Sequence, residues 1–191
     1  MGQGQRMKED TVLQFVFPSE TDRENVLSFY DEFKAHGGGC IGMADSGNFN
    51  RWLTGMQNRR TGTNLPAGYV RENFYLCYEQ GALVGVFSLK FSLTDYLLNY
   101  GGHIGYAVRP SEQNRGLATR MLAEGCRLAG ELGFARLLCV CDVDNHASEH
   151  VILKNGGVPE DERYDPEERV TVKRYWINLP PPDHGRNSHR I

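Results

Sequence analysis

Apolar positions along the chain change their period several times, and each change marks an element. From residue 12 to residue 17 most side chains are apolar, which predicts a short strand closed by Pro18. Ser19 or Thr21 can cap a helix after it, with Glu24 three residues past Thr21 as the partner in a capping box. Val26, Leu27, Tyr30 and Phe33 then recur at helical spacing until Gly37-Gly38-Gly39 stops them. Phe49, Trp52, Leu53 and Met56 repeat the helical spacing and predict a second short helix, followed by a polar loop to Tyr69.

Two strands, residues 74–78 and 82–91, flank Glu79-Gln80-Gly81, a hairpin signal. A further strand over 103–108 ends at Arg109-Pro110, because Pro110 cannot donate to a ladder and biases Arg109 toward an extended backbone. From Gly116 the period lengthens again. Leu117, Met121, Leu122, Leu128, Ala129 and Leu132 fall on one helical face, and Arg120, Glu124, Arg127 and Glu131 on the other. Residues 137–141 are continuously apolar, as in a strand covered on both faces. Asp144 or Asn145 caps a helix that Asn155-Gly156-Gly157 stops, and a last strand runs over 170–179 to Pro180-Pro181-Pro182. Glu160, Asp161, Glu162, Asp165, Glu167 and Glu168 crowd what reads as a solvated loop, or a negative rim that attracts a cationic amine. This order predicts one α/β (α+β) domain over residues 11–179. It has a central mixed, mainly antiparallel twisted sheet with helices on both faces, and a polar, mobile tail at 180–191.

Composition narrows the class. The chain has 191 residues, 40% hydrophobic and 24% charged, with a formal net charge of −3, which is enough for one buried core and excludes a disordered chain. Its longest apolar run, residues 82–87, is far short of the roughly 20 residues of a membrane span. No apolar core follows the first charges, so no secretory signal is expected. Five cysteines without regular spacing argue for a reducing, cytoplasmic setting rather than a disulfide framework. Scattered charges of both signs predict neither nucleic-acid nor membrane partners.

The chemistry concentrates after the fourth predicted strand. Arg109-Pro110-Ser111-Glu112-Gln113-Asn114-Arg115-Gly116-Leu117-Ala118-Thr119 joins a strand to an amphipathic helix. Small residues at 116 and 118 allow close backbone approach, and the first helical amides are free donors at the positive end of the helix dipole. Together they make an anion site of the kind a pyrophosphate fills, or else an ordinary strand-to-helix turn. No P-loop and no G-x-G-x-x-G after a strand competes with it.

Gln113-x-x-Gly116-x-Ala118 resembles the Q/R-x-x-G-x-G/A signature of the GNAT N-acetyltransferase superfamily, in the expected order with Val108-Arg109-Pro110, Asn145-x-Ala147-Ser148 and Asn155-Gly156-Gly157. The phrases Gly101-Gly102-His103-Ile104-Gly105-Tyr106 and Arg174-Tyr175-Trp176-Ile177 look like a bacterial subgroup of that family. The resemblance implies transfer of an acetyl group from acetyl-CoA to a small-molecule or peptide amine, without a metal. It implies that backbone amides of Gln113, Asn114, Arg115, Gly116, Leu117, Ala118 and Thr119 hold the pyrophosphate. Ala107 and Val108 would pair with the pantetheine arm, and Asn145 and Ser148 would lie beside it near the thioester. The amine would enter from the other side of a V-shaped opening between two central strands. Family members are often dimers, so a homodimer is allowed.

One departure stands out. Many members carry a tyrosine seven residues after the asparagine to protonate the leaving thiolate, and here that position is Ile152. Tyr106 and His103 are the candidates for acid and base, though strand alternation puts them on opposite faces and only one can point into the site. A module that binds acyl-CoA without catalysis is the alternative this departure supports. A remote one is a zinc hydrolase, because His146-Ala147-Ser148-Glu149-His150 spells H-x-x-E-H with both histidines on one helical face. His36-Gly37-Gly38-Gly39 resembles an esterase oxyanion loop but lacks a G-x-S-x-G elbow, and Cys139-x-Cys141 reads as buried small residues or as a thiol near the thioester. Tyr30, Phe33, Phe49 and Trp52 belong either to the core or to an acceptor pocket.

Overall fold

Residues 12–43 and 48–181 of the chain are described here from a computed structural model. Residue 11 and the tail from residue 182 onward, both within the expectations above, lie outside the described residues. The described elements run β1 (Gln14–Val16), α1 (Arg23–Ala35), α2 (Phe49–Thr61), β2 (Glu72–Glu79), β3 (Ala82–Lys90), β4 (Ile104–Val108), α3 (Leu117–Glu131), β5 (Arg136–Asp142), α4 (His146–Lys154), β6 (Val158–Asp165) and β7 (Val170–Asn178). Among the described residues no helix is long and apolar enough to cross a membrane.

Local chemistry explains most of the boundaries. Ser19 donates from its amide and hydroxyl to the Asp22 carboxylate at 2.9 and 2.7 Å, so the box closes on Asp22 rather than Glu24 and α1 starts one residue later. The β2–β3 hairpin turns on Gln80 and Gly81, both at positive φ (50° and 80°), the pairing that matches strand twist in a two-residue loop.

The strands form two antiparallel sheets, β1-β2-β3-β4 and β5-β7-β6. They touch where His103 N–H donates to Leu138 O at 2.8 Å, while the Leu138 amide donates to Nδ1 of the His103 ring at 2.9 Å. An imidazole nitrogen thus takes the amide that a neighbouring strand's carbonyl would need, and the ladder goes no further. Beyond that contact β4 and β5 lie side by side without pairing. The expected central sheet is therefore split along this line.

Helices cover both faces. Met121, Leu122 and Ala129 of α3 and Ile152 of α4 pack with Phe87, Leu89 and Leu137 into one core. Val26 and Phe29 of α1 and Trp52, Leu53 and Met56 of α2 pack with Phe74, Leu76 and Val86 on the other side. Val86 and Phe87 point to opposite faces, and residues 83–87 of β3 carry no polar side chain because both faces are buried there.

The acidic segment corrects the loop reading. Residues 158–165 form edge strand β6, paired to β7 with Asp161 opposite Arg174 and Glu162 opposite Lys173. Arg174, 2% exposed, donates through Nη1 to Asp161 (2.6 Å) and Glu160 (2.8 Å), and through Nε to Leu98 O. Buried Asp165 accepts from the Tyr96 hydroxyl at 2.8 Å. Tyr96 and Leu98 belong to a helical turn ending in a π-turn (Leu97–Gly101), a second element absent from the hydrophobic pattern. Cross-strand charge pairs, rather than alternating apolar residues, hold β6 in place.

Candidate active site

The strand-to-helix connection forms a cradle of backbone amides. A 3₁₀ turn (Pro110–Glu112) follows β4, then Asn114 and Gly116 adopt left-handed conformations with φ of 61° and 73°. The first helical hydrogen bond of α3 runs from Arg120 N–H to Gly116 O at 3.2 Å, so the amides of Leu117, Ala118 and Thr119 have no acceptor within the helix. Left-handed residues in such a turn gather N–H groups into an anion-binding concavity, and the dipole of α3 adds to it. A Cβ at Gly116 would meet nothing within 4 Å, so the concavity opens outward.

Charged side chains brace this loop. Glu79, buried at the end of β2, accepts from Arg115 at 2.9 Å and from Arg120 at 2.6 Å, and Arg115 also pairs with Glu112. From α1, Glu32 accepts from Arg109 Nε at 2.5 Å and from the Ser111 amide at 2.6 Å. Neither carboxylate was predicted as part of the site. Glu79 had a signal, a charged residue directly after the apolar run of residues 74–78.

The edge of β4 next to the cradle is open. Lys90 N–H donates to His103 O and Arg109 N–H to Val84 O, which fixes the register. In antiparallel pairing the bonding residues alternate, so Gly105 and Ala107 bond to β3 while the peptide groups of Tyr106 and Val108 face the other edge. Of the two residues expected to pair with an extended ligand, Val108 therefore has free groups and Ala107 has its groups engaged.

Beyond that edge lies a cavity of about 840 Å³ between β4 and β5. Ile104, Gly105 and Tyr106 line one side, and Val140, Cys141, Asp142, Asn145 and Ser148 the other. Asn145 Oδ1 accepts from the Ser148 amide at 3.0 Å, capping α4, and the Tyr106 hydroxyl lies 2.8 Å from Ser148 Oγ. Burial pushes the Tyr106 phenol up to about 12 and the Cys141 thiol up to about 11, so both stay protonated at neutral pH.

The floor and far wall come from segments that the sequence motifs did not indicate. Arg51, Gly55, Met56 and Arg59 of α2, with Tyr69, Glu72, Ser88 and Lys90, close the cavity opposite β5. Of the four aromatic candidates only Trp52 lines it, held by an Nε1–H bond to Gly42 O at 2.7 Å. Phe49 is buried in the second core, and Tyr30 and Phe33 pack against it. The β6 carboxylates do not line the cavity, which leaves the negative-rim reading without a site.

His103 and Tyr106 part company, as alternation requires. The His103 ring accepts from Leu138 N, packs edge-on against Phe134 and Trp176, and does not line the cavity. Burial first, then the Lys90 and Arg136 charges, lowers its pKa from 6.5 to about 4. A neutral-form preference makes the unfolded chain the better proton acceptor between those two values, so stability falls as pH drops from 6.5 toward 4. The loss is roughly 3 kcal/mol, which urea midpoints measured across this range should show and His103→Asn should flatten.

The H-x-x-E-H segment does not assemble a metal site. Glu149 is engaged by the Tyr175 hydroxyl (2.6 Å) and Lys173 (3.0 and 3.1 Å), which with His146 hold its pKa down at about 2. The His146 side chain is 81% exposed. Among the described residues no group of three His, Cys, Asp or Glu stands close enough to share an ion. His36 ends α1 with Nδ1 against Glu32 O, so the Gly37-Gly38-Gly39 run is a helix stop.

Comparison with known proteins follows the same outline. A family model described as an acetyltransferase (GNAT) domain matches residues 7–158. Among solved structures, an acetyltransferase from Salmonella typhimurium that modifies the N-terminal serine of ribosomal protein L7/L12 is 20% identical, with TM-score 0.68 over 90% of this chain and 97% of that one. RimL, a ribosomal L7/L12 α-N-protein acetyltransferase in complex with coenzyme A, is 19% identical at TM-score 0.68, covering 90% and 96%. The microcin C7 self-immunity acetyltransferase MccE, in complex with acetyl-CoA and AMP, is 18% identical at TM-score 0.66, covering 90% and 94%. At these identities the likeness shows the fold. No curated protein matches the chain significantly.

Proposed function

The chain belongs to the GNAT acetyltransferase family, and from that premise we propose that it transfers an acetyl group from acetyl-CoA to a primary amine by direct attack in a ternary complex. The observation that carries this reading is the continuity of two features. The unpaired edge of β4 at Tyr106 and Val108 leads directly into the amide cradle at Asn114–Thr119. An extended arm ending in a pyrophosphate fits that sequence of donors, the arm along the edge and the phosphates at the start of α3. The cradle fits an anion and the cavity beyond it fits an acceptor, with the thioester between them. A cytoplasmic location accords with such a donor.

In the reaction the amine nitrogen attacks the thioester carbonyl, the C–N bond forms, and the C–S bond breaks as coenzyme A thiolate leaves. The Val108 amide on the free edge polarises the carbonyl as it gains charge. Ile152, 1% exposed in the core, has no proton to give. Tyr106 compensates from the facing strand, setting its hydroxyl against Ser148 where the sulfur departs. The phenol, kept protonated by burial, donates to the thiolate with Ser148 as its partner. Asp142, a carboxylate on the same wall, attracts the ammonium, which loses one proton to solvent before attack, and the proton released from the nitrogen as the amide forms returns the phenol to its protonated state. Holding both reactants in line supplies much of the barrier reduction, up to roughly 7–11 kcal/mol in well-oriented systems.

Calorimetric titration with acetyl-CoA tests the donor, and thiol release with a panel of amines tests the transfer. One micromolar site per chain with amine-dependent thiol release supports the reading. Binding without release on any amine favours a non-catalytic acyl-CoA module. Tyr106→Phe is expected to lower kcat about 100-fold while leaving acetyl-CoA affinity within a factor of two. An equal loss in affinity would make Tyr106 a packing residue.

A further inference from the structure

The acceptor wall of the cavity carries its charge at two ends. On α2, Arg51, Gly55 and Arg59 recur every four residues, which puts them on one face, and all three line the cavity. Gly55 has no neighbour within 4 Å of where a Cβ would be, so a gap separates the two guanidinium groups. Arg59 and Lys90 share one buried carboxylate, Glu72, at 3.1 and 3.7 Å, which leaves one positive charge in excess. Arg51 adds a second, because its guanidinium has no acceptor among the described residues. Tyr69 stacks on Arg59 at 4.7 Å and steadies it. A smaller cavity of about 390 Å³ adjoins along the same face and shares Arg51, Gly55, Arg59 and Tyr69.

The other end is negative. Asp142 is the cavity's second carboxylate, and it sits on the wall with Asn145 and Ser148 where the thioester is placed. We infer that the acceptor is a small dipolar amine: its ammonium faces Asp142, and an anionic group at its far end, a carboxylate or a phosphate, seats between Arg51 and Arg59. This rests on the acetyl-transfer reading and names the substrate class for that site. Guanidinium groups bind both oxyanions in charge-assisted pairs, and a like charge placed there is repelled. A polyamine, cationic at both ends, meets Arg51 and Arg59 with the wrong sign.

Matched acceptors test the charge at the far end without changing the amine. Phosphoethanolamine is compared with ethanolamine, an ω-amino acid with its amide, and spermidine serves as the doubly cationic case, all by thiol release from saturating acetyl-CoA. The anionic member of at least one pair is expected to exceed its neutral partner by tenfold or more in kcat/KM, and which pair responds separates phosphate from carboxylate. Arg51→Ala should remove most of that margin through KM, and Arg51→Lys should restore part of it. Equal or better rates with ethanolamine, the amide or spermidine would overturn the inference and leave acetyl transfer standing. Acetyl-CoA binding without thiol release on any acceptor would instead overturn the transfer reading, and the inference with it.

Discussion

Gly116→Asp is expected to reduce acetyl-CoA affinity at least 100-fold while the protein stays folded. Three effects act together at this position. The residue has φ of 73°, which costs a side chain-bearing residue about 1 kcal/mol, though aspartate tolerates it better than most. Gly116 is also the N-cap of α3, where an aspartate carboxylate accepts from the free amides of the first turn. That bond stabilises the helix start and offsets the backbone cost, so the melting temperature should move by only a few degrees. The same bond occupies the donors a pyrophosphate needs and sets a negative charge against it. Gly116→Ala separates the terms, because it carries the backbone cost without the charge and meets no neighbour within 4 Å. Its loss in affinity should be under tenfold. Calorimetry on both variants decides the matter: undiminished affinity in Gly116→Asp, with the fold intact, removes the pyrophosphate from this loop.

That cradle was legible in the sequence because its parts are adjacent in the chain. A strand ending at Pro110, small residues at 116 and 118, and a helical period after them define it without any distant contact. The hairpin at Gln80-Gly81 and the faces of α1, α2 and α3 were legible for the same reason. β6 was not, since Val158-Pro159-Glu160-Asp161-Glu162-Arg163-Tyr164-Asp165 has no apolar alternation and owes its strand conformation to cations thirteen and eleven residues away, Arg174 facing Asp161 and Lys173 facing Glu162. The turn at 97–101 is likewise held from outside, by Arg174 on the Leu98 carbonyl and Arg163 on Asn99. The acceptor wall shows the limit most clearly. Arg51, Tyr69, Lys90 and Asp142 come from four separate segments, and only the closed fold makes them one surface. His103 illustrates the opposite error. Its residue type invites a catalytic role, but its ring nitrogen does the work of a backbone carbonyl at the split between the sheets.

The helix that presents the cradle depends on one close approach, and disturbing it should have the largest effect on stability. A Cβ on Gly125 would lie 2.0, 2.6 and 2.7 Å from three atoms of the Phe87 ring. Phe87 is fully buried at the centre of β3, with Phe15 packed on it at 5.5 Å between ring centres, so it has nowhere to retreat. On an open helical face, glycine to alanine gains up to about 1 kcal/mol. Gly130 of the same helix is such a place, with nothing within 4 Å, and Gly130→Ala should raise the melting temperature by about 2–4 °C. At Gly125 overpacking reverses the sign. Gly125→Ala should lose about 1–3 kcal/mol and Gly125→Val more, lowering the melting temperature by roughly 5–10 °C or preventing folding. Phe87→Leu in the Gly125→Ala background should recover part of the loss, since the two residues share one space. A Gly125→Ala variant as stable as Gly130→Ala would mean that α3 does not rest on Phe87. Gly125 lies nine residues, about 13 Å of helix, past Gly116, so the sheet contact further along α3 sets where the amides at its start stand. A folded Gly125→Ala protein should therefore also bind acetyl-CoA more weakly, although the residue touches no part of the ligand.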